Sequence, residues 1–207
     1  MGVRILKTAN LAAAYAEAGY FFAHCEVTRL QLKATIMDEN AVKRAMMRIS
    51  HEITEVNKGS ENIVIVGIKR RGIPLGKLVC ENIKKIEGVD VPFASVDITF
   101  YRDDLEKAHE DPEVKNADLG VDINGKTVVL VDDVLYTGRT ARAAIDAVFS
   151  AGRPSRIQLA ILVDRGHREL PVRADFVGKS VPTSKNEVIS VKVPEYDGSL
   201  CAELYSL

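Results

Sequence analysis

The chain contains no tryptophan, only three cysteines, and no apolar run long enough to span a membrane. Cys25, Cys80 and Cys201 are far apart and odd in number, so they form neither a metal-ligand spacing nor a disulfide framework. That usage fits a reducing cytoplasm, which is the expected location. An excess of one charge is also missing: 28 Lys and Arg against 29 Asp and Glu leave a formal net charge of −1. A generally basic nucleic-acid binder is thereby excluded, and any such surface must be a local patch. Internal repeats, low-complexity tracts and a Ser/His/Asp or Cys/His constellation are absent too. What remains is ordinary for a globular protein: 207 residues, 46% hydrophobic and 28% charged, enough for one domain with a real core but hardly for two.

The richest stretch runs from Val128 to Thr140, Val-Val-Leu-Val-Asp-Asp-Val-Leu-Tyr-Thr-Gly-Arg-Thr. Val128 to Val131 reads as a strand buried on both faces. Asp132 and Asp133 are expected just past its carboxyl end, followed by a turn into a helix over Ala141 to Gly152. Gly138 lets the turn approach an anion, and its amides, the hydroxyls of Thr137 and Thr140 and the helix N-terminus suit a phosphate. The two carboxylates are hard oxygen ligands for hydroxyls or Mg²⁺. Ligands of open α/β sheets sit at this edge. The run itself carries no Gly-Lys-Ser/Thr, so it is not a Walker A loop.

Along the rest of the chain, Leu11 to Ala23 has the composition of a short helix, without the basic start of a signal peptide. Asp38 is placed to cap a helix whose apolar face is Val42, Ala45, Met46, Ile49, Ile53 and Val56, ending at Lys58-Gly59. Arg44, Arg48 and His51 occupy the opposite face. Ile63 to Gly67 reads as a buried parallel strand. The basic loop Lys69-Arg70-Arg71-Gly72 follows it, and Pro74 opens a helix with Leu75, Leu78, Val79, Ile83 and Ile86 inside. This loop is a second anion site on the same edge. Val91 to Ile98 is a further strand. The charged stretch from Tyr101-Arg102 to Asn124 has little apolar periodicity and reads as a lid over the site. Strands are expected again at Ile157 to Val163, Ala174 to Gly178 and Val188 to Val193. Alternating strands and helices make an α/β fold with a mainly parallel sheet flanked by helices.

The Val128–Thr140 run resembles the phosphoribosyl pyrophosphate (PRPP) signature of the type I phosphoribosyltransferases. Further runs sharpen the likeness: Gly67 to Gly72, Asp97 to Leu105, Gly152 to Leu159, Leu162 to Pro171, Arg173 to Asp175 and Gly178 to Lys185. From about Lys33 onward the chain resembles the bacterial family of bifunctional pyrimidine-operon attenuation regulators and uracil phosphoribosyltransferases. Residues 1–32 then form an N-terminal extension of no assigned role, and 33–207 the phosphoribosyltransferase domain with a small hood and a flexible lid. One account of the extension is a start assigned too far upstream, which mass spectrometry of the native protein would refute by finding residues before Leu30.

The resemblance implies that uracil and PRPP, with Mg²⁺, give UMP and pyrophosphate. It assigns Asp132, Asp133 and Arg102 to catalysis, the carboxylates to the ribose hydroxyls and Arg102 to the closing lid. Lys69, Arg70, Arg71 and Gly72 would take pyrophosphate with Mg²⁺, which arrives through PRPP rather than on a dedicated protein site. Tyr136, Thr137, Gly138, Arg139 and Thr140 would take the 5′-phosphate, and Val163, Asp164 and Arg165 with Gly166 the uracil. It also implies binding of pyrimidine-operon leader mRNA, promoted by UMP or UTP and opposed by PRPP, through Arg48, His51, Arg70, His167, Arg168, Arg173 and Lys179, with Arg44 adjoining. Two positions depart from the family pattern: Met47 stands where a threonine is usual, and Arg70 replaces a smaller polar residue. A homodimer or higher oligomer and no membrane association complete the expectation. The competing readings are a phosphoribosyltransferase for another base without RNA regulation, and a regulator that keeps the PRPP site only as a sensor.

Overall fold

The computed structural model of the protein describes residues 30–98 and 119–207. The helix expected within Leu11 to Ala23, Cys25, Arg102 and most of the expected lid lie outside the described residues.

Five strands form one parallel sheet: β2 (Ile63–Ile68), β3 (Phe93–Val96), β4 (Thr127–Leu135), β5 (Arg156–Asp164) and β6 (Phe176–Ser180), in the order β3-β2-β4-β5-β6. The central strands are apolar without alternation because both faces are covered. On one face Ile63, Ile65, Val129, Val131 and Leu162 pack with helices α1 (Glu39–Asn57) and α2 (Gly72–Glu87). On the other, Val64, Val66, Val128, Leu130 and Ile161 pack with α3 (Arg139–Ala151), whose Ala141, Ala144, Ala147 and Val148 recur at helical spacing. Asp38 caps α1 as expected, its carboxylate accepting the Ala41 amide at 2.7 Å, and Lys58 ends that helix in the left-handed conformation. Val56 does not join the apolar face; it is 53% exposed, because the helix turns that position away in its last turn.

A second, antiparallel sheet holds β1 (Gln31–Met37), β8 (Cys201–Ser206) and β7 (Glu187–Lys192), in that order, with the one-turn helix α4 (Pro194–Asp197) between β7 and β8. This is the hood. Of its strands, only the one beginning near Val188 stands out in the sequence. The hood shares the α1/α2 core through Met37, Ile189, Val191, Val193 and Ala202.

Several expected boundaries shift by a residue or two, and two larger shifts bear on the site. Strand β4 does not stop at Val131 but continues through both aspartates to Leu135, because β5 pairs with it that far: Asp132 lies beside Ile161, and Leu135 beside Asp164. The expected lid does not reach Asn124. Ile123 is only 2% exposed, and the Asn124 side-chain carbonyl accepts the Arg153 amide at 2.9 Å, which anchors this end of the segment.

Candidate active site and basic surface

Parallel strands deliver their carboxyl ends to a single edge, and three consecutive strand-to-loop exits meet there. β2 leads through Lys69–Arg71 into α2, β4 through Tyr136–Gly138 into α3, and β5 into the segment Arg165–Val172. Neither α2 nor α3 has a side-chain cap at its N-terminus, in contrast to α1. The Ile73 and Leu75 amides donate to the Arg70 and Arg71 carbonyls, and the Arg139 amide to the Thr137 hydroxyl at 3.4 Å, but neither N-cap residue supplies a side-chain cap. Two such positive helix ends at one sheet edge suit a ligand with two anionic groups.

Glycine makes the close approach possible. A Cβ on Gly72 would lie 2.2 Å from the Val131 carbonyl oxygen, so the start of α2 sits directly on the end of β4. Gly138 has φ +95°, which favours glycine, and it rests against Leu170 and Val172. The Lys69–Arg70 peptide is cis.

The two carboxylates stand where these exits converge. Asp132 is 8% exposed and Asp133 is half-buried. Each folds back on the strand: Asp132 Oδ1 accepts the Asp133 amide at 2.9 Å, and Asp133 Oδ1 accepts the Val134 amide at 2.8 Å. Burial, reinforced by the Asp133 charge, pushes Asp132 well above the ordinary carboxylate range. Burial raises Asp133 as well, while the Arg71 guanidinium opposes the rise. Lys69 extends its ammonium to Asp97 at 2.9 Å. Arg71 reaches across to the hood, where its terminal nitrogen lies 3.4 Å from Asp197. Arg70 is exposed beside them.

The phosphate turn is braced from behind by the next loop. The Thr137 carbonyl accepts the amides of Glu169 and Leu170 at 3.0 and 3.1 Å. Arg168 donates to the carbonyls of Tyr136 (2.6 Å), Leu135, Gly166 and Val172, and to the Asp164 carboxylate at 2.5 Å. Arg139 turns its side chain outward to Glu169 at 3.0 Å, so its contribution to the turn is its backbone amide. Thr140 is the second residue of α3 and half-buried.

Arg165 is only 3% exposed. It donates to the Thr183 hydroxyl and to the Ser184 and Glu187 carbonyls, and its guanidinium carbon lies 4.1 Å from the Tyr136 ring centre. His167, at φ +59°, meets the edge of the same ring and places Nε2 2.6 Å from the Thr183 carbonyl. The family-specific runs 164–171 and 182–185 are therefore interlocked in space. Val163 is fully buried, and Asp164 is held by the Gly166 amide as well as by Arg168.

The residues expected on the basic surface lie on α1, on β6 and in the loops after β2 and β5. Arg48, on α1, donates to the carbonyls of Val177 and Gly178 at 3.0 and 2.7 Å and pairs with Glu52. Lys179 donates to the Ile36 carbonyl at 3.0 Å. With exposed Arg44 and His51, these groups line the α1/β6 side. Arg173 is exposed ahead of β6, while His167 belongs to the site edge. Arg168 is turned into the protein.

Some structure here escaped sequence reasoning. The brace by Arg168 and the position of Asp197 have no local pattern; α4 is too short for periodicity, though Pro194 and Gly198 bracket it. Gly120 to Thr127 fits the Walker A spacing letter for letter, yet Thr127 opens a strand rather than a helix, so no helix N-terminus stands behind it. Among the described residues no group of three or more His, Cys, Asp or Glu could cage a metal ion, and no helix is long and apolar enough to cross a membrane.

The family model described as the phosphoribosyl transferase domain matches residues 34–197. The bifunctional protein PyrR of Clostridium perfringens (strain SM101) is 60% identical over 176 residues, covering 85% of this chain and 99% of the relative. That of Clostridioides difficile (strain 630) is 61% identical over 166 residues, covering 80% and 94%. Among solved structures, a hypoxanthine-guanine phosphoribosyltransferase of Bacillus anthracis superposes with a TM-score of 0.63 at 21% identity, over 86% of this chain and 99% of that one. The hypoxanthine phosphoribosyltransferase of Trypanosoma cruzi gives 0.63 at 16% identity, over 84% and 97%. At those identities the solved structures speak for the fold alone, which is the type I phosphoribosyltransferase fold. With the fold, the matched domain and relatives near 60% identity in agreement, the chain belongs to the phosphoribosyltransferase family, in the group of the bifunctional PyrR proteins.

Proposed function

We infer that the protein transfers the phosphoribosyl group of PRPP to uracil and also regulates the pyrimidine operon by binding its leader mRNA. The observation that carries the catalytic half is the joint placement of two uncapped helix N-termini and the Asp132–Asp133 pair at one sheet edge. The regulatory half rests on the high identity to the bifunctional relatives.

In the reaction the bond from C1′ to pyrophosphate breaks, the uracil N1–C1′ bond forms, and N1 loses its proton. The Thr137–Thr140 turn and the start of α3 hold the 5′-phosphate through backbone amides and the two threonine hydroxyls. Asp132 and Asp133 orient the ribose hydroxyls and lend negative charge near the sugar as it becomes oxocarbenium-like. Lys69 to Gly72 receive the departing pyrophosphate. The backbone of Val163 to Gly166, stiffened by Arg165 and His167, reads the uracil edge. Arg102, on the expected lid, would close over the pyrophosphate and exclude water.

Mg²⁺ fits this donor set as an ion that enters on PRPP. Substrate oxygens and water would carry the ion, with the hard oxygens of Asp132 and Asp133 nearby at the ribose and the Lys69–Gly72 loop at the pyrophosphate. Its chemistry is to offset charge on the leaving pyrophosphate. Residues 33–207 are the working domain, the location is the cytoplasm, and a homodimer would double the α1/β6 basic face into one RNA surface.

The test is a filter-binding assay with pyrimidine-leader RNA, with and without UMP, alongside a panel of bases assayed with PRPP. UMP-strengthened binding, weakened by Arg173→Ala and Arg48→Ala, with uracil the preferred base, is the expected result. Binding no better than to scrambled RNA would remove the regulatory half. Preference for a purine or orotate would remove the uracil assignment.

A further inference from the structure

In the pyrophosphate loop, Arg71 is tied to the hood. One terminal nitrogen lies 3.4 and 3.5 Å from the two carboxylate oxygens of Asp197, and both side chains are 17% exposed. Asp197 closes α4, and its Oδ2 also accepts the Val193 amide at 3.1 Å, which fixes the carboxylate on the hood. Val193 is fully buried in the α1/α2 core, so this anchor does not swing with the surface. The Arg71 guanidinium is thus tied at one end to a carboxylate that is itself fixed to the hood backbone.

Resting on the assignment of Lys69–Gly72 to pyrophosphate, we propose that Asp197 is a positioning residue for PRPP: from the hood it holds the Arg71 guanidinium at the pyrophosphate subsite. The hood then sets the geometry of the leaving-group end of the site as well as covering it. Without the Asp197 charge, the Arg71 guanidinium loses its fixed partner on the hood and must be ordered when PRPP binds.

The experiment compares Asp197→Asn, Asp197→Glu and Arg71→Ala in steady-state kinetics against PRPP, with KM and kcat read separately. Asp197→Asn keeps the shape and can still accept the Val193 amide, so a merely structural role in α4 would leave it silent. Loss of the charge should raise KM for PRPP roughly three- to tenfold, the scale of one partly exposed charge-assisted hydrogen bond, with kcat within about twofold. Asp197→Glu should restore most of the KM, and the Asn and Arg71→Ala effects should not add. Unchanged KM in Asp197→Asn, where Arg71→Ala raises KM, would overturn the positioning role alone. Unchanged KM in Arg71→Ala would instead overturn the pyrophosphate assignment beneath it.

Discussion

Gly72→Ala is the sharpest perturbation the fold offers. The added methyl would sit 2.2 Å from the Val131 carbonyl oxygen and 3.4 Å from the Asp132 Cα, so it must retreat by 0.8 Å merely to reach 3.0 Å. Neither neighbour yields easily. Val131 is hydrogen-bonded between β2 and β5 in the middle of the sheet, and Gly72 begins a helix whose Leu75, Val79 and Ile83 are buried. Gly67 adds to the constraint, because its own Cβ position is 2.7 Å from the Gly72 carbonyl. Overpacking of this kind costs about 1–3 kcal/mol, and for a chain of this size roughly 2–4 °C of Tm per kcal/mol. Relief by displacing α2 shifts Lys69–Arg71 relative to Asp132, and an error near 1 Å at a site that works by orientation costs on the order of a hundredfold in rate. The expected result is a Tm lowered by roughly 3–10 °C with kcat/KM for PRPP down at least tenfold. Gly76→Ala is the control. Its Cβ would meet Phe93 Cε2 at 2.9 Å, Ile65 Cγ2 at 3.5 Å and Gly67 Cα at 3.6 Å, so the tight contact is with a side chain rather than a backbone carbonyl. Alanine also improves helix propensity, so both quantities should change less than in Gly72→Ala. Wild-type melting and kinetics in Gly72→Ala would refute the claim that backbone contact between α2 and β4 builds the site.

Three further outcomes follow from the carboxylates, the brace and the basic face. Asp132 has its folded pKa raised by burial and by Asp133, so its contribution to stability is fully present below the unfolded carboxylate range and is lost as pH rises through the folded value. Asp132→Asn should therefore melt higher than wild type at pH 8, by a margin that shrinks towards acid pH, while kcat/KM falls; equal melting at pH 8 would show that the buried charge carries no penalty. Arg168→Ala removes donors from four carbonyls and leaves Asp164 without its cation, which should cost about 2–4 kcal/mol and raise KM for PRPP more than it weakens RNA binding. The reverse order of effects would make Arg168 an RNA contact rather than a brace. Lys179→Ala should flatten the salt dependence of RNA binding by about 0.7 in log–log slope, as loss of one phosphate contact to a single strand does. An unaltered slope would take Lys179 off the RNA surface.

Much of this architecture was legible locally. Ile63 to Gly67 and Val128 to Val131 are apolar without alternation, which announces strands covered on both faces, and Asp38 and Lys58-Gly59 mark both ends of α1. Gly138 and the threonines around it announce an anion turn because backbone conformation and donor chemistry are properties of adjacent residues. Long-range contacts left no such trace. The continuation of β4 through Asp132 and Asp133 depends on β5 lying alongside, and two carboxylates in sequence look the same whether a loop or a paired strand carries them. The hood is similar: β1 is exposed along most of its length and acquires its structure by pairing with β8, some 170 residues away. Arg168 shows the limit most clearly, since a surface cation and a buried brace are the same letter. The amino-acid sequence by itself determined the core strands of the parallel sheet, the ends of α1 and the phosphate turn, because those follow from short-range sterics, capping and periodicity. Only the tertiary structure decided which charges face water and which are spent inside, because burial and partner choice are set by residues far away in the chain.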